Sequence, residues 1–163
     1  MVNEFMRNFM KAKIIGIEPS AGYMDAIYEQ TVKIELPSGK LMGLFDSLPK
    51  ASSELIGKTK NIVILTFVPK IEKIVKTKPI IEPFPEKPLD WKNHIFYGII
   101  EQIGIKDIWH EGKFKYNNLV SLYVGEGNIL VEFDKKTLNV IKKGDYIKVS
   151  ALRSDLLDIL NNE

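Results

Sequence analysis

Apolar and polar residues alternate with a period of two along most of the chain, and the alternating runs end at Gly, Pro, Asn or Asp, which predicts short β-strands joined by turns. In residues 31–47, "TVKIELPSGKLMGLFDS", Val32, Ile34 and Leu36 share one face and Lys33 and Glu35 the other. Residues 119–135, "LVSLYVGEGNILVEFDK", repeat the scheme, with Val120, Leu122 and Val124 inward and Ser121 and Tyr123 outward. The turns "PSGK" and "GEGN" supply the Gly and small polar residues that tight hairpins need. The returning strands place Leu41, Gly43 and Phe45 inward in the first hairpin and Ile129, Val131 and Phe133 in the second. Met42 and Leu44 then point outward, and two apolar outward side chains predict an interface.

The same order of elements occurs twice. "KIIGIE" (13–18) answers "FYGIIE" (96–101) with Gly16 opposite Gly98; Val32, Gly39, Phe45 and Asp46 answer Val120, Gly127, Phe133 and Asp134. Each hairpin is followed by a short stretch of helical spacing, "SLPKASSELIG" or "KKTLNVIK", and Ser47 is the expected cap of the first. A fourth strand, "NIVILTFV" or "YIKVSAL", and a shorter fifth, "KIEKI" or "DLLDIL", are expected to complete each unit; the last has helical spacing as its alternative. Length changes between the two copies fall in loops, where duplicated units tolerate them.

Between the copies lies "VKTKPIIEPFPEKPLDWKN", residues 75–93, which holds Pro79, Pro83, Pro85 and Pro88. Each proline removes a backbone donor and holds its predecessor extended, so a stiff linker is expected. Ile80, Ile81, Phe84, Leu89 and Trp91 are too apolar for a free tether and are expected to lie against the flanking units. The predicted division is 1–74, a linker at 75–93, and 94–163.

Composition narrows the class without naming an activity. The chain has 163 residues, 45% hydrophobic and 27% charged, as ordinary globular proteins have. Its formal charge is only +2, but the basic excess lies in residues 1–78. No Cys is present, which excludes disulfides and thiolate metal sites and fits a reducing compartment. The opening "MVNEFMRNFMKAK" has no apolar run of signal-peptide length, and a cytoplasmic location is expected.

Strand, strand, strand, short helix, strand, strand is the order of a five-stranded Greek-key barrel. Residues 94–160, through "FYGIIEQIG" and "LVSLYVGEGNILVEFDKKTLNVIKKGDYIKVSAL", resemble the OB-fold, in particular single-strand-binding domains of the replication protein A type. Residues 11–75 are similar through the internal match. The turns "LPSGK" and "VGEGN" depart from the family's frequent D-x-T-G turn. The resemblance implies an all-β fold with short helices, two tandem five-stranded OB-like barrels, and single-stranded DNA or RNA as partner.

Such a ligand needs stacking rings bordered by cations. The candidate is "DIWHEGKFKYNN" (107–118), where Trp109, Phe114 and Tyr116 interleave with Lys113 and Lys115; Tyr123, Lys135 and Lys136 adjoin it, and Lys33 and Lys40 extend the track into the first unit. The competing reading has Trp109 and Phe114 plugging a barrel end while the lysines, including Lys11, Lys13, Lys50, Lys58 and Lys60, stay solvated. Catalysis is not expected. His94 and His110 lack the company a zinc site requires, and neither a nucleophile elbow nor a P-loop occurs. No cofactor or metal is expected. The functional expectation is a non-enzymatic single-stranded nucleic-acid binder; the alternative is an assembly module using Met42, Leu44 or the linker.

Overall fold

The computed structural model describes residues 8–23, 26–47, 49–67, 70–83, 93–110, 113–151 and 153–160, with the side chains at 20–28 and at 114 outside the description. The protein is all-β. Its strands are β1 (Met10–Tyr23), β2 (Ala26–Glu35), β3 (Leu41–Ser47), β4 (Thr59–Thr66), β5 (Lys70–Lys73), β6 (Ile80–Pro83), β7 (His94–Ile105), β8 (Ile108–His110), β9 (Phe114–Tyr116), β10 (Leu119–Tyr123), β11 (Asn128–Glu132), β12 (Tyr146–Ala151) and β13 (Ser154–Leu160). The helical stretches shrink to a 3-10 turn at Ser53–Leu55 and one turn of α-helix, α1 (Lys135–Leu138). Among the described residues no helix is long and apolar enough to cross a membrane.

Five strands close a barrel. β1 pairs with β2, β2 with β3, β3 with β13 and β13 with β4, and β4 returns to β1 through Met10–Ile62 and Lys13–Thr59. The sheet continues from β4 into β11, β10, β7, β12 and β5. β4 is therefore shared, and this explains its unbroken apolar run: Ile62 and Ile64 face the barrel interior, while Val63 and Leu65 face a second core with Ile105, Ile108, Leu119, Leu130 and Leu157. A strand covered on both faces has no polar side to alternate with.

The fifth strands cross over instead of completing their own units. β13 follows β12 in the chain but lies between β3 and β4; β5 follows β4 but pairs with β12. Each fifth strand pairs with the other unit's fourth, Leu156 with Ile64 and Ile71 with Val149. The connections account for it. "FVP" (67–69) and "LR" (152–153) contain neither Gly nor Asn, so neither can make the positive-φ hairpin turn that would fold the fifth strand back on the fourth. The strand ends that flank the crossings are neighbours, Thr66 Oγ1 and Ser154 Oγ being 3.0 Å apart.

Met42 and Leu44 correct the expected interface. Both are wholly buried in the barrel core beside Ile34 and Val32, their partners on β2. The face flips because the turns differ by one residue: Leu36 N–H donates to Lys40 O in the first hairpin, Val124 N–H to Gly127 O in the second. One extra turn residue moves the return strand by half a pleat repeat and exchanges its two faces. No partner docks on side chains that are already core.

The start of the proline-rich segment is structured. β6 pairs with β7, and Ile81 sits in the main core. Phe84, Pro85, Pro88, Leu89 and Trp91 lie outside the described residues.

Candidate functional site

Two polar clusters stand out. The first lies at the seam between the barrel and the rest of the sheet. β8 and β9 form a small hairpin whose alternation sends Ile108 and His110 inward and Trp109 outward. His110 is buried, and because a carboxylate only accepts, its Nε2 must carry the proton it donates to Asp155 Oδ2 at 3.1 Å. Asp155, on the exchanged strand β13 and fully buried, also accepts from Arg153 Nε at 2.6 Å and Nη2 at 2.7 Å. The guanidinium lies 3.9 Å over the Phe45 ring. Burial pushes the Asp155 carboxyl up, but the hydrogen bonds from Arg153 and His110 and the charge beside it prevail and hold it below the usual carboxylate range.

This cluster explains what became of the expected ring-and-lysine groove. Tyr116 packs on Phe67, 6.0 Å between ring centroids, and Phe67 packs on His110 at 5.7 Å. Trp109 remains 57% exposed, but its neighbour Lys115 is paired with Asp107 at 3.0 Å and stands 5.8 Å from the indole. The Phe114 side chain lies outside the description. Lys113 is exposed; the Tyr123 hydroxyl donates to Gly125 O at 2.9 Å. Lys135 and Lys136 stand on α1, which Asp134 caps by accepting from Thr137 N–H at 2.7 Å; hydrogen bonds from the Thr137 side chain and then from its backbone lower the Asp134 carboxyl. In the barrel, Lys33 pairs with Glu18 at 3.4 Å and Lys40 donates to Ile81 O at 2.8 Å. The expected residues are thus dispersed over separate elements, and several serve as structural ties.

The two histidines are also apart in role, His94 Nε2 lying 3.3 Å from Leu41 O while His110 holds Asp155. The expected Ser47 cap is not formed: the 3-10 turn begins after Ser52 with no side-chain cap, and the neighbouring acidic residue is Asp46. Its carboxylate is buried and accepts from Gln30 Nε2 and from the backbone of Lys50 and Ala51, at 2.9–3.0 Å.

The second cluster lines a cavity of about 390 Å³ where the start of β1, the 36–39 turn and the start of β4 converge. Lys11 and Lys13 alternate with buried Ala12, so both ammonium groups are on the outer face of β1. Thr59 stands opposite Lys13 on β4 and Glu35 opposite it on β2. Leu36, Pro37 and Gly39 complete the wall. Among the described residues neither Lys11 nor Lys13 is held in an ion pair. Sequence reasoning counted these lysines as a dispersed basic surface; the signal it passed over was their i, i+2 spacing on one strand face.

No protein-family model and no curated protein sequence matches the chain. Among solved structures it is similar to the cytoplasmic molybdate-binding protein ModG, crystallised with molybdate bound, at 16% identity over 94% of each chain with a TM-score of 0.45. A likeness of that degree carries no ligand across. The expectation of a single-stranded DNA or RNA partner is corrected by the geometry: the rings and lysines expected to hold a polymer do not line one groove, Tyr116 packing on Phe67 and Lys115 pairing with Asp107. The strand-three face of the assembly-module alternative goes as well, since Met42 and Leu44 are interior; its linker residues 84–92 lie outside the described residues.

Proposed function

We propose that the protein is a non-enzymatic binder of a small anion, taken up in the cavity beside Lys11 and Lys13. The observation that supports this reading is the cavity itself, whose volume of about 390 Å³ falls in the range of small-molecule sites and whose wall carries the ammonium groups of Lys11 and Lys13 and the Thr59 hydroxyl. Side chains two residues apart on a strand are separated by roughly 7 Å, so two flexible lysines can converge on one oxyanion. Glu35, opposite Lys13 on β2, leaves the site one positive charge in excess, which favours a compact ligand over an extended polyanion. We read the chain as two duplicated OB-like units working in the cytoplasm.

The test is calorimetric titration with sulfate, phosphate and molybdate at low ionic strength. Saturable binding that weakens with added salt is expected, and Lys13→Gln should weaken it about tenfold, the worth of one charge-assisted hydrogen bond. Lys33→Gln, on a lysine already paired with Glu18 outside the cavity, should leave it unchanged. Failure of all three oxyanions to bind the folded chain, or binding indifferent to Lys11→Gln and Lys13→Gln together, overturns the reading.

A further inference from the structure

The geometry points to Glu126 as a positioning residue that shapes the anion cavity from outside it, an inference that rests on the reading just given. Glu126 belongs to the β10–β11 turn and is not among the residues lining the cavity, yet its carboxylate Oε1 accepts from Ser38 N–H at 2.9 Å. Ser38 lies in the middle of the 36–39 turn, whose Leu36, Pro37 and Gly39 form one wall of the cavity. Lys40, at the foot of the same turn, is tied to Ile81 O on β6. That wall is therefore held by two elements from the other part of the sheet.

The opposite wall is held by the same turn. Asn128 N–H donates to Phe9 O at 3.1 Å, and Met10 forms an isolated bridge with Gly127. Gly127 has φ 145°, and a Cβ there would lie 2.8 Å from Phe9 O and 2.9 Å from Met10 Cα, so the two backbones are in direct contact. Ser121 Oγ, which donates to Asn8 Oδ1, also accepts from Asn128 Nδ2 at 3.0 Å. The start of β1, which leads directly into Lys11 and Lys13, and the 36–39 turn are thus clamped at a fixed spacing by residues 124–128. Glu126 is the side chain of that clamp whose carboxylate hydrogen-bonds the turn.

A carboxylate near an anion site has two opposing effects, and they separate by substitution. As a charge, Glu126 repels the ligand; as a hydrogen-bond acceptor, it keeps the wall in place. Glu126→Gln retains an acceptor oxygen and removes the charge, so oxyanion affinity should be unchanged or tighter. Glu126→Ala removes both, and loss of the bond that positions Ser38 should weaken binding about fivefold. Pure electrostatics instead predicts tightening in both variants.

The experiment is titration of sulfate and molybdate into the wild-type chain, Glu126→Gln and Glu126→Ala, with amide hydrogen exchange followed at Ser38. Weaker binding in Glu126→Ala beside unchanged or tighter binding in Glu126→Gln, with Ser38 exchanging faster in Glu126→Ala only, supports the clamp. Tightening or no change in Glu126→Ala, with the wild type binding, overturns the clamp and leaves the anion site standing. Equal Ser38 exchange in all three chains also overturns it. Absence of binding in the wild-type chain overturns the site and, with it, the role given to Glu126.

Discussion

Replacing Asp155 with alanine is expected to destabilise the fold by about 3 kcal/mol, the effect of removing one partner from a buried charged cluster. In a chain of this length that corresponds to a fall of roughly 6–12 °C in Tm, measurable by calorimetry. Three segments meet at this carboxylate. Arg153 precedes it, His110 reaches it from the β8–β9 hairpin, and β13 carries it into the barrel between β3 and β4. Alanine leaves the buried His110 N–H without its acceptor and frees the guanidinium to leave the Phe45 ring. Arg153 is about half exposed, so solvent screens its share; the orphaned histidine is the larger contribution. Asp155→Asn, which keeps the volume, should lose about half as much.

The same residue sets a pH dependence with a definite sign. The folded-state carboxyl of Asp155 is lowered relative to an unfolded Asp, whose pKa is about 3.9. Its contribution to stability is therefore fully present above about pH 4 and is lost as the pH falls through the lowered folded value. Tm measured from pH 6 down to pH 2 should drop more steeply in the wild type than in Asp155→Asn. Parallel curves would show that the carboxylate is not what holds the seam.

The second large effect is expected at Gly98. A Cβ at this position of β7 would stand 2.6 Å from both Tyr123 O and Leu122 Cγ on β10. The carbonyl belongs to a paired strand and cannot retreat without breaking its ladder. Gly98→Ala should therefore cost about 3 kcal/mol, the upper end of overpacking in a close-packed interior. Gly16, which the internal match places opposite Gly98, is the control. Its added Cβ would meet only the flexible Lys33 chain, at 3.7 Å, so Gly16→Ala should be neutral or stabilising by about 0.5 kcal/mol. Denaturant midpoints of the two variants give the comparison. Similar losses at both positions would contradict the packing described for β7 and β10.

Alternation along the chain was enough to mark most strands, because each barrel strand buries one face. It failed where a second surface intervened. Leu130 and Leu65 look outward from their strands yet are fully buried at the seam. The exchange of fifth strands was hidden for a related reason: Ile71 and Ile74 have the same spacing as Leu156 and Ile159, so either strand reads as a fit for either slot. The distinguishing information lay in the connections "FVP" and "LR", which lack the Gly or Asn of a positive-φ hairpin turn. Met42 and Leu44 were put on the wrong face by a turn one residue longer than its counterpart, which composition does not reveal. The aromatic segment 107–118 was misread because its partners, Phe67 and Asp155, come from distant parts of the chain. The cavity was missed because Lys11 and Lys13 acquire their setting only when the 36–39 turn folds back over β1.

The crossing of β13 has a consequence for synthesis on the ribosome. A nascent chain that has emerged through Thr66 already holds four of the five barrel strands, yet the gap between β3 and β4 stays open until residues 154–160 have been added. Throughout that interval two strand edges and the apolar lining beneath them are exposed to whatever else the cell contains. Translation speed across residues 70–153 therefore sets how long the newborn protein depends on chaperone protection.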